Sequence, residues 1–194
     1  MLFRSIAARL VSPEEDLLLI SKGAQAIRFR ADDESLRPMG RDTSGVIGMR
    51  FNNGDELLGM YVIRDGGDVL VATGGGYAKR TPVDAYPVQG RGGRGVVTAK
   101  IVEARGELVG ALMVTAEDEI FAITSAGGVI RTRAVEVKQS GRQTMGVRLM
   151  NLAAGDSVVA LARNAESLVE VDQEPSDSDE ESDPETSAGE ADLS

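Results

Sequence analysis

The sequence predicts an all-β protein, a propeller-like array of repeats, and two observations support this prediction. The chain of 194 residues repeats one pattern with a period of about fifty residues. No stretch before the C-terminal tail places apolar residues at helical spacing over ten residues. We therefore expect about three complete four-stranded, blade-like units, together with a disordered acidic tail.

Each repeat begins with an apolar run, a turn of small residues and a second run that holds an arginine. The three copies are DLLLISKGAQAIRF from Asp16, DVLVATGGGYAKRT from Asp68 and EIFAITSAGGVIRT from Glu119. Their arginines, Arg28, Arg80 and Arg131, are 52 and 51 residues apart. The pattern predicts a pair of antiparallel strands in every repeat. For the arginines, packing on a carbonyl and contact with a ligand both remain open.

A Gly-Arg motif that ends in Gly-Val follows each pair of runs. Its copies are GRDTSGV from Gly40, GRGGRGV from Gly90 and GRQTMGV from Gly141. The units then close with NNGDELLGMYV, ARGELVGALMV and AAGDSVVALA, in which a glycine and an acid precede an apolar run. We expect a strand after Gly-Val, a hairpin turn at the glycine and the acidic residue that follows it, and a last strand in the final apolar run. Asn53-Gly54 is a strong two-residue hairpin signal.

These repeats divide the chain into five segments. Residues 1–15 contain SIAARLV, which aligns with the last strand of a preceding unit. Residues 16–66, 67–116 and 117–165 are three blade-like repeats, and residues 166–194 are an acidic tail. Propellers close with about four to eight blades. We therefore expect the chain to be the C-terminal end of a longer array.

The charge is distributed very unevenly. The tail holds 12 of the 31 acidic residues, and the last basic residue is Arg163. Residues 1–163 carry all 21 lysines and arginines against 19 acids, so this part is mildly basic. The tail has too few apolar residues to fold. It is either a solubilising segment or a mimic of nucleic acid that competes for a basic surface.

Composition excludes several kinds of chemistry. The chain has no cysteine and no histidine, so disulfides, thiol chemistry, Cys/His metal sites and a histidine base are all excluded. Tyr61, Tyr77 and Tyr86 have no neighbouring basic and acidic cluster, and we expect them to pack as aromatic residues. MLFRSIAARL reads neither as a signal peptide nor as a membrane span. We expect no catalytic residue, cofactor or metal in this chain, and a cytoplasmic location.

The richest candidate site is the stretch QGRGGRG from Gln89 to Gly95. It matches Gly-x-Gly-x-x-Gly, but Pro87 precedes it and Val96 and Val97 follow it, which does not fit a dinucleotide turn that opens a helix. Glycines let backbone N–H groups approach phosphates, and an arginine guanidinium can donate two parallel hydrogen bonds to phosphate oxygens. This predicts a polyanion-binding loop, and a merely solvated loop is the alternative.

Several motifs in order resemble the C-terminal domain of the A subunit of bacterial DNA gyrase over residues 8–165. They are KGAQAIRF, LRPMGRDTSGVIGMRF, GGYAKRTPVDAYPVQGRGGRGV, GGVIRT and GRQTMGVRLMNLAAGD. The resemblance implies a six-bladed β-pinwheel whose blades exchange strands. It also implies that DNA wraps around a basic rim in a positive sense, so that the whole enzyme introduces negative supercoils. QGRGGRG is similar to the family heptapeptide Gln-Arg-Arg-Gly-Gly-Lys-Gly, and resembles the additional copy that some members carry on a later blade.

The resemblance also implies which residues bind DNA. They are the loop residues Gln89, Arg91, Gly92, Gly93, Arg94 and Gly95, the sister-loop residues Arg41 and Arg142, and Lys79 and Arg80. The implied partners are double-stranded DNA, the rest of the gyrase A subunit, and the gyrase B subunit, in the nucleoid. ATP and Mg²⁺ would be used elsewhere in the parent enzyme. The equivalent domain of topoisomerase IV is one alternative. A protein-interaction propeller is another, although the chain lacks tryptophan and the Trp-Asp signature of WD40 repeats.

Overall fold

A computed structural model describes residues 7–164, and in this part of the chain every regular element is a strand or a short 3₁₀ turn. The strands in chain order are β1 (Asp16–Ser21), β2 (Gln25–Arg30), β3 (Leu57–Val62), β4 (Asp68–Thr73), β5 (Tyr77–Pro82), β6 (Val96–Val97), β7 (Leu108–Val114), β8 (Glu119–Thr124), β9 (Val129–Arg133), β10 (Val147–Arg148) and β11 (Val158–Arg163). The 3₁₀ turns are Val83–Ala85, Glu103–Arg105 and Ala134–Glu136. The all-β prediction is confirmed.

The strands form three antiparallel sheets, one for each repeat. Their strand orders are β3-β1-β2-β6, β10-β5-β4-β7 and β11-β8-β9. In every sheet the apolar run and the run that follows it form a hairpin, and the last strand of the repeat pairs with the other side of the first. The strand pairs expected from the apolar runs are therefore present in all three repeats.

The strand after Gly-Val does not stay in the sheet of its own repeat. β6 comes from the second repeat and pairs with β2 of the first, with Val97 opposite Gln25 and Val96 opposite Ala26. β10 comes from the third repeat and pairs with β5 of the second in the same way. This is the strand exchange that the resemblance implied. Within the described residues the third sheet has three strands, and Val46 and Ile47 of the first repeat form none.

The glycine of Gly-Val permits this exchange. Gly95 and Gly146 both have positive φ, 73° and 76°. A Cβ on Gly95 would overlap the carbonyl oxygen of Ala26, and one on Gly146 would lie 2.7 Å from that of Ala78. Only glycine allows so close an approach to the neighbouring hairpin. Gly45 has the same backbone conformation, φ 77°, but nothing lies within 4 Å of its Cβ position.

Two of the three buried clusters within residues 7–164 lie between successive sheets, and the third lies on the other face of the first sheet. One buried cluster joins the first two sheets and contains Leu18, Ile20, Val69 and Leu108 among others. A second joins the last two sheets, and alternate residues of β4, such as Leu70, belong to it. β4 is therefore buried on both faces, as its continuous apolar sequence predicts. The last strand of the second repeat, β7, contacts both β3 and β11, the last strands of the other two repeats. We call this side the inner edge of the sheets and the side of β6 and β10 the outer edge.

Two local expectations differ from the structure. Residues 7–11, the described part of SIAARLV, form no strand, since no described strand of a preceding unit is present to pair with them. Asn53-Gly54 forms a turn, but only Gly54 has positive φ, at 79°, and the residues before the turn are not in a strand. Residues 1–6 and 165–194, which include the acidic tail, lie outside the described residues. No helix within residues 7–164 is long and apolar enough to cross a membrane.

Candidate nucleic-acid interface

The second and third Gly-Arg loops lie at the outer edge of the sheets because each leads directly into an exchanged strand. The loop Gly90–Gly95 enters β6 at the edge of the first sheet, and Gly141–Gly146 enters β10 at the edge of the second. Each loop therefore belongs to one repeat in sequence and borders the preceding repeat in space. Positive charge on these loops lies at equivalent points of successive sheets.

Arg91 and Arg142 hold their loops against the preceding repeat. Nη1 of Arg91 donates to the carbonyl oxygen of Ile47 at 3.2 Å, and Nη1 of Arg142 donates to that of Val97 at 3.1 Å. Ile47 and Val97 are equivalent positions, each following the valine of Gly-Val. Nε of Arg91 also donates to the Ser35 carbonyl at 2.5 Å. A guanidinium has five N–H donors, so both arginines keep donors beyond these contacts.

Arg41 and Arg94 are the exposed cations of the loops. Within residues 7–164, neither side chain makes a hydrogen bond or ion pair with another residue. Arg41 is the sequence equivalent of Arg91 and Arg142. Its guanidinium is exposed because the described chain has no preceding repeat for it to bind. These two side chains are the ones most available to an external anion.

The glycine loop itself is fixed by backbone contacts. The Gly92 N–H donates to the Gly48 carbonyl at 2.7 Å, and the Gln89 N–H donates to the Arg28 carbonyl at 2.7 Å. Gly93 accepts a bond from the Arg50 N–H at 2.8 Å, and Gly95 lies against Ala26. The sequence predicted that loop N–H groups would face phosphates. Those of Gln89 and Gly92 instead bind protein carbonyls, so the loop presents its charge mainly through side chains.

Arg50 and Lys100 are basic residues at the outer edge that the sequence analysis did not select. Both are exposed, and both follow the valine of Gly-Val by four positions. The backbone N–H of Arg50 donates to the carbonyl of Gly93, and that of Lys100 donates to the carbonyl of Thr144 at 3.1 Å. Each therefore borders the Gly-Arg loop of the next repeat. Their recurrence at one repeat position was a signal available in the sequence.

Lys79 lies behind the interface and not on it, which corrects the sequence expectation. It is 1% exposed. Nζ donates to the carbonyl oxygens of Gly141 at 2.7 Å and Arg142 at 2.5 Å, and lies 3.4 Å from Oγ1 of Thr144. Burial, together with the weaker effect of the nearby Arg142 charge, lowers the pKa of Lys79 to about 8. Lys79 therefore positions the third Gly-Arg loop through its main chain.

Arg80 is likewise buried, and its contacts support the structural role that the sequence left open. Its guanidinium pairs with Asp68 at 2.5 Å and donates to the carbonyl of Val137 at 2.8 Å. Arg28 pairs in the same way with Asp16, at 2.7 Å, and reaches carbonyls of the second repeat. Arg131 pairs with Glu119 and is exposed. The buried members of this series join repeats and do not face a ligand.

The three tyrosines differ in environment. Tyr86 is buried, and its hydroxyl lies 2.5 Å from Oγ1 of Thr98. Burial raises the pKa of Tyr61 to about 12, so its phenol is not an activated nucleophile. Tyr77 is different: Cζ of Arg105 lies 3.8 Å from its ring centroid and Cζ of Arg148 lies 5.7 Å away. Aromatic packing in the core therefore describes Tyr86 and Tyr61, whereas Tyr77 packs against arginines at the outer edge.

Comparison with known proteins places this architecture in a family. A family model described as DNA gyrase C-terminal domain, beta-propeller, matches residues 15–64, 67–115 and 118–164. The DNA gyrase A subunit of Streptomyces coelicolor is 64% identical over 168 residues, covering 87% of this chain and 20% of that protein. Its counterpart from Mycobacterium bovis is 60% identical over 161 residues, covering 83% and 19%. The chain thus spans about a fifth of the length of these relatives.

Solved structures with a similar fold agree with this family match. A DNA gyrase A C-terminal domain has a TM-score of 0.72 at 27% identity, covering 79% of this chain and 52% of that chain. The C-terminal domain of DNA topoisomerase IV has a TM-score of 0.71 at 21% identity, covering 78% and 47%, and at that identity it supports the fold alone. Each matched segment contains the first hairpin and the last strand of one sheet, and the chain belongs to the DNA gyrase C-terminal domain, beta-propeller family.

Proposed function

We propose that this chain binds double-stranded DNA through its phosphates, without base specificity, along the outer edges of successive sheets. One observation carries the proposal: basic side chains recur at the same place on both complete sheets. Arg91, Arg94 and Arg50 border the outer edge of the first sheet. Arg142 and Lys100 border that of the second. Contacts to phosphates fix the path of a duplex but carry no sequence information directly.

The arrangement favours a bent duplex because the cations lie on separate sheets. Bending 20–30 base pairs by 40–90° costs on the order of 1–6 kcal/mol, so several contacts must act together. Release of condensed counterions supplies this free energy collectively. Arg41, Arg91, Arg94 and Arg142, with Gln89 and the loop glycines, form the proposed contact surface. Lys79 and Arg80 act indirectly, by holding the loops in place.

The proposal extends to a gyrase of which this chain would be one part. In that setting the chain wraps DNA in a positive sense, working with the rest of the gyrase A subunit and with the B subunit in the cytoplasmic nucleoid. The resulting strand passage would introduce negative supercoils. The acidic tail, residues 166–194, would compete with DNA for the outer edge. Deleting it should then tighten DNA binding at low salt, and unchanged affinity would assign it a solubilising role.

A salt titration tests the contact surface. Arg41→Gln with Arg94→Gln removes two exposed cations whose side chains make no hydrogen bond or ion pair within the described chain, so we expect the fold to be unaffected. The slope of log K against log salt is negative, and each lost phosphate contact reduces its magnitude by about 0.9. The matched control is Arg9→Gln with Arg64→Gln, since both residues line a recess beside β3 and β7 at the inner edge. Equal slopes in the two double variants would contradict the proposed surface.

Wrapping itself requires a topological measurement. Relaxed closed-circular DNA is incubated with the chain, treated with a nicking-closing enzyme and separated by electrophoresis. We expect a positive shift in linking number, which the Arg41/Arg94 variant reduces. Binding without any shift would support a DNA-binding domain of the topoisomerase IV kind or a simple anion surface, and would reject wrapping by this chain.

A further inference from the structure

The third Gly-Arg loop lacks the second arginine that the middle loop has. Met145 occupies the position in Gly141–Gly146 that Arg94 occupies in Gly90–Gly95. From sequence, the outer edge of the second sheet is therefore poorer in charge than that of the first. In the structure, Nη1 of Arg105 donates to the carbonyl oxygen of Met145 at 3.3 Å. A guanidinium from a different element thus reaches the point that the loop leaves uncharged.

Arg105 belongs to a cluster built from three elements. Tyr77 is at the start of β5, and Arg148 on β10 is its cross-strand partner. Nη2 of Arg148 donates to Oη of Tyr77 at 3.2 Å, and Nη1 donates to Oδ1 of Asn151 at 3.1 Å. The Arg105 guanidinium packs over the ring of Tyr77, within the range of a cation–π contact. Two guanidinium groups therefore converge on one aromatic side chain.

The backbone holds Arg105 in this position. Its N–H donates to Val102 at 2.8 Å, and its carbonyl accepts the N–H of Gly75 at 2.8 Å. A Cβ on Gly75 would lie 2.7 Å from that carbonyl oxygen. Gly106, which ends the 3₁₀ turn, has φ 73°. The turn before Tyr77 and the turn that carries Arg105 are thus locked together, so the cluster is pre-organised.

The cluster carries uncompensated positive charge. Within residues 7–164, neither Arg105 nor Arg148 forms an ion pair with an acid, although Glu103 and Glu107 flank Arg105 in the chain. The hydrogen bond from Arg148 lowers the pKa of Tyr77. Because the Tyr77 oxygen accepts that bond, its O–H can still donate to an anion. An anion placed here would reduce the repulsion between the two guanidinium groups.

We propose that Tyr77, Arg105 and Arg148 form a second phosphate-binding site, which takes a backbone phosphate of duplex DNA at the outer edge of the second sheet. The inference rests on the proposed DNA-binding function and names a contact that alignment of the repeats does not show. It follows from the meeting of β5, β10 and the 3₁₀ turn Glu103–Arg105. It also explains how the path of positive charge continues past Met145.

Binding of the full chain to a linear duplex tests the site. In Arg105→Gln with Arg148→Gln we expect weaker binding, and the magnitude of the salt slope should fall by about 0.9, from the loss of one phosphate contact. Arg9→Gln with Arg64→Gln removes the same charge away from the outer edge and should leave the slope unchanged. A reduced slope magnitude in Arg41→Gln with Arg94→Gln, together with an unchanged slope in the Arg105/Arg148 variant, would reject the second site and leave the DNA-binding proposal standing. If neither pair reduces the magnitude of the slope, both proposals fail.

Tyrosine fluorescence supplies a local measurement, since the chain has three tyrosines and no tryptophan. Duplex DNA should change the emission of the wild-type chain, and Tyr77→Phe should abolish most of that change. An equal change in Tyr77→Phe would place the duplex elsewhere. Titration with inorganic phosphate alone, at matched phosphate concentration, should leave the emission unaltered. Saturable quenching by inorganic phosphate would instead assign the site to a small phosphate ligand and overturn the DNA assignment.

Discussion

Nε of Arg80 donates a 2.8 Å hydrogen bond to the main-chain oxygen of Val137, a residue of the next repeat. The same guanidinium pairs with Asp68 on the adjacent strand β4. One side chain thus ties a hairpin of the second sheet to the residue that follows the 3₁₀ turn Ala134–Glu136 in the third repeat. Arg28 makes the corresponding link from Asp16 to the carbonyls of Val83 and Tyr86.

Arg80→Ala should therefore destabilise the protein far more than Arg131→Ala. Losing one partner of a buried ion pair typically costs about 3–5 kcal/mol, because the other charge is left uncompensated. The Arg131–Glu119 pair is exposed, so water and salt screen its charges and its loss should cost much less. Urea unfolding of both variants measures the difference. Equal losses would show that the Arg80 link between repeats is not important for stability.

Gly95→Ala should cost more than Gly45→Ala, although both glycines have nearly the same φ. Left-handed backbone alone costs roughly 1–2 kcal/mol for alanine, and this is all we expect at Gly45. At Gly95 the new Cβ also collides with the Ala26 carbonyl, so β6 must move away from β2. Hydrogen exchange of the Val96 and Val97 amides should be faster in Gly95→Ala. Unchanged exchange there would contradict the close approach.

The lowered pKa of Lys79 predicts that the free energy of unfolding rises at alkaline pH. Its folded pKa of about 8 lies below the ordinary 10.5, so the unfolded chain binds more protons between these two values. The free energy of unfolding should therefore increase as pH rises from about 8 to about 10.5. Lys79→Met removes this group, and the difference in unfolding free energy between the two proteins isolates it. A difference that stays constant across this range would reject the shifted pKa.

Tyr86→Phe should destabilise the protein, and Tyr77→Phe should not. The Tyr86 hydroxyl contacts Thr98, and both side chains are buried, at 2% and 0% exposure. Leaving the Thr98 hydroxyl unsatisfied typically costs about 1–3 kcal/mol. The Tyr77 hydroxyl lies at the surface, where substitutions usually stay within about 0.5 kcal/mol. Thermal unfolding compares the two variants, and a larger loss in Tyr77→Phe would contradict this assignment of their roles.

The sequence predicted the hairpins because their signal is local. Alternation of an apolar run, a glycine turn and a second run defines β1 with β2, β4 with β5 and β8 with β9 without reference to distant residues. The sheets that β6 and β10 join depend instead on contacts between repeats, and no local sequence pattern encodes these contacts. The family resemblance supplied the strand exchange, and Gly95 shows the physical reason in its contact with Ala26.

The sequence did not predict that Lys79 and Arg80 are buried. The family resemblance placed Lys79 and Arg80 among the residues that contact DNA. Their side chains are buried because main-chain oxygens of the next repeat are available as acceptors, a fact invisible before the repeats are packed. Arg105 and Arg148 were missed for the opposite reason. They are far apart in sequence and come together only through β10 and the turn against Gly75.

Because the outermost strand of each complete sheet is supplied by the repeat that follows, no contiguous stretch of about fifty residues within residues 7–164 contains a whole four-stranded sheet. Duplicating one internal repeat would add one donor strand and one acceptor hairpin together. The number of unmatched edges would then stay the same whatever the number of repeats. Such an array can lengthen or shorten by whole units during evolution without creating new unpaired edges, and the length of its DNA path would change in equal steps.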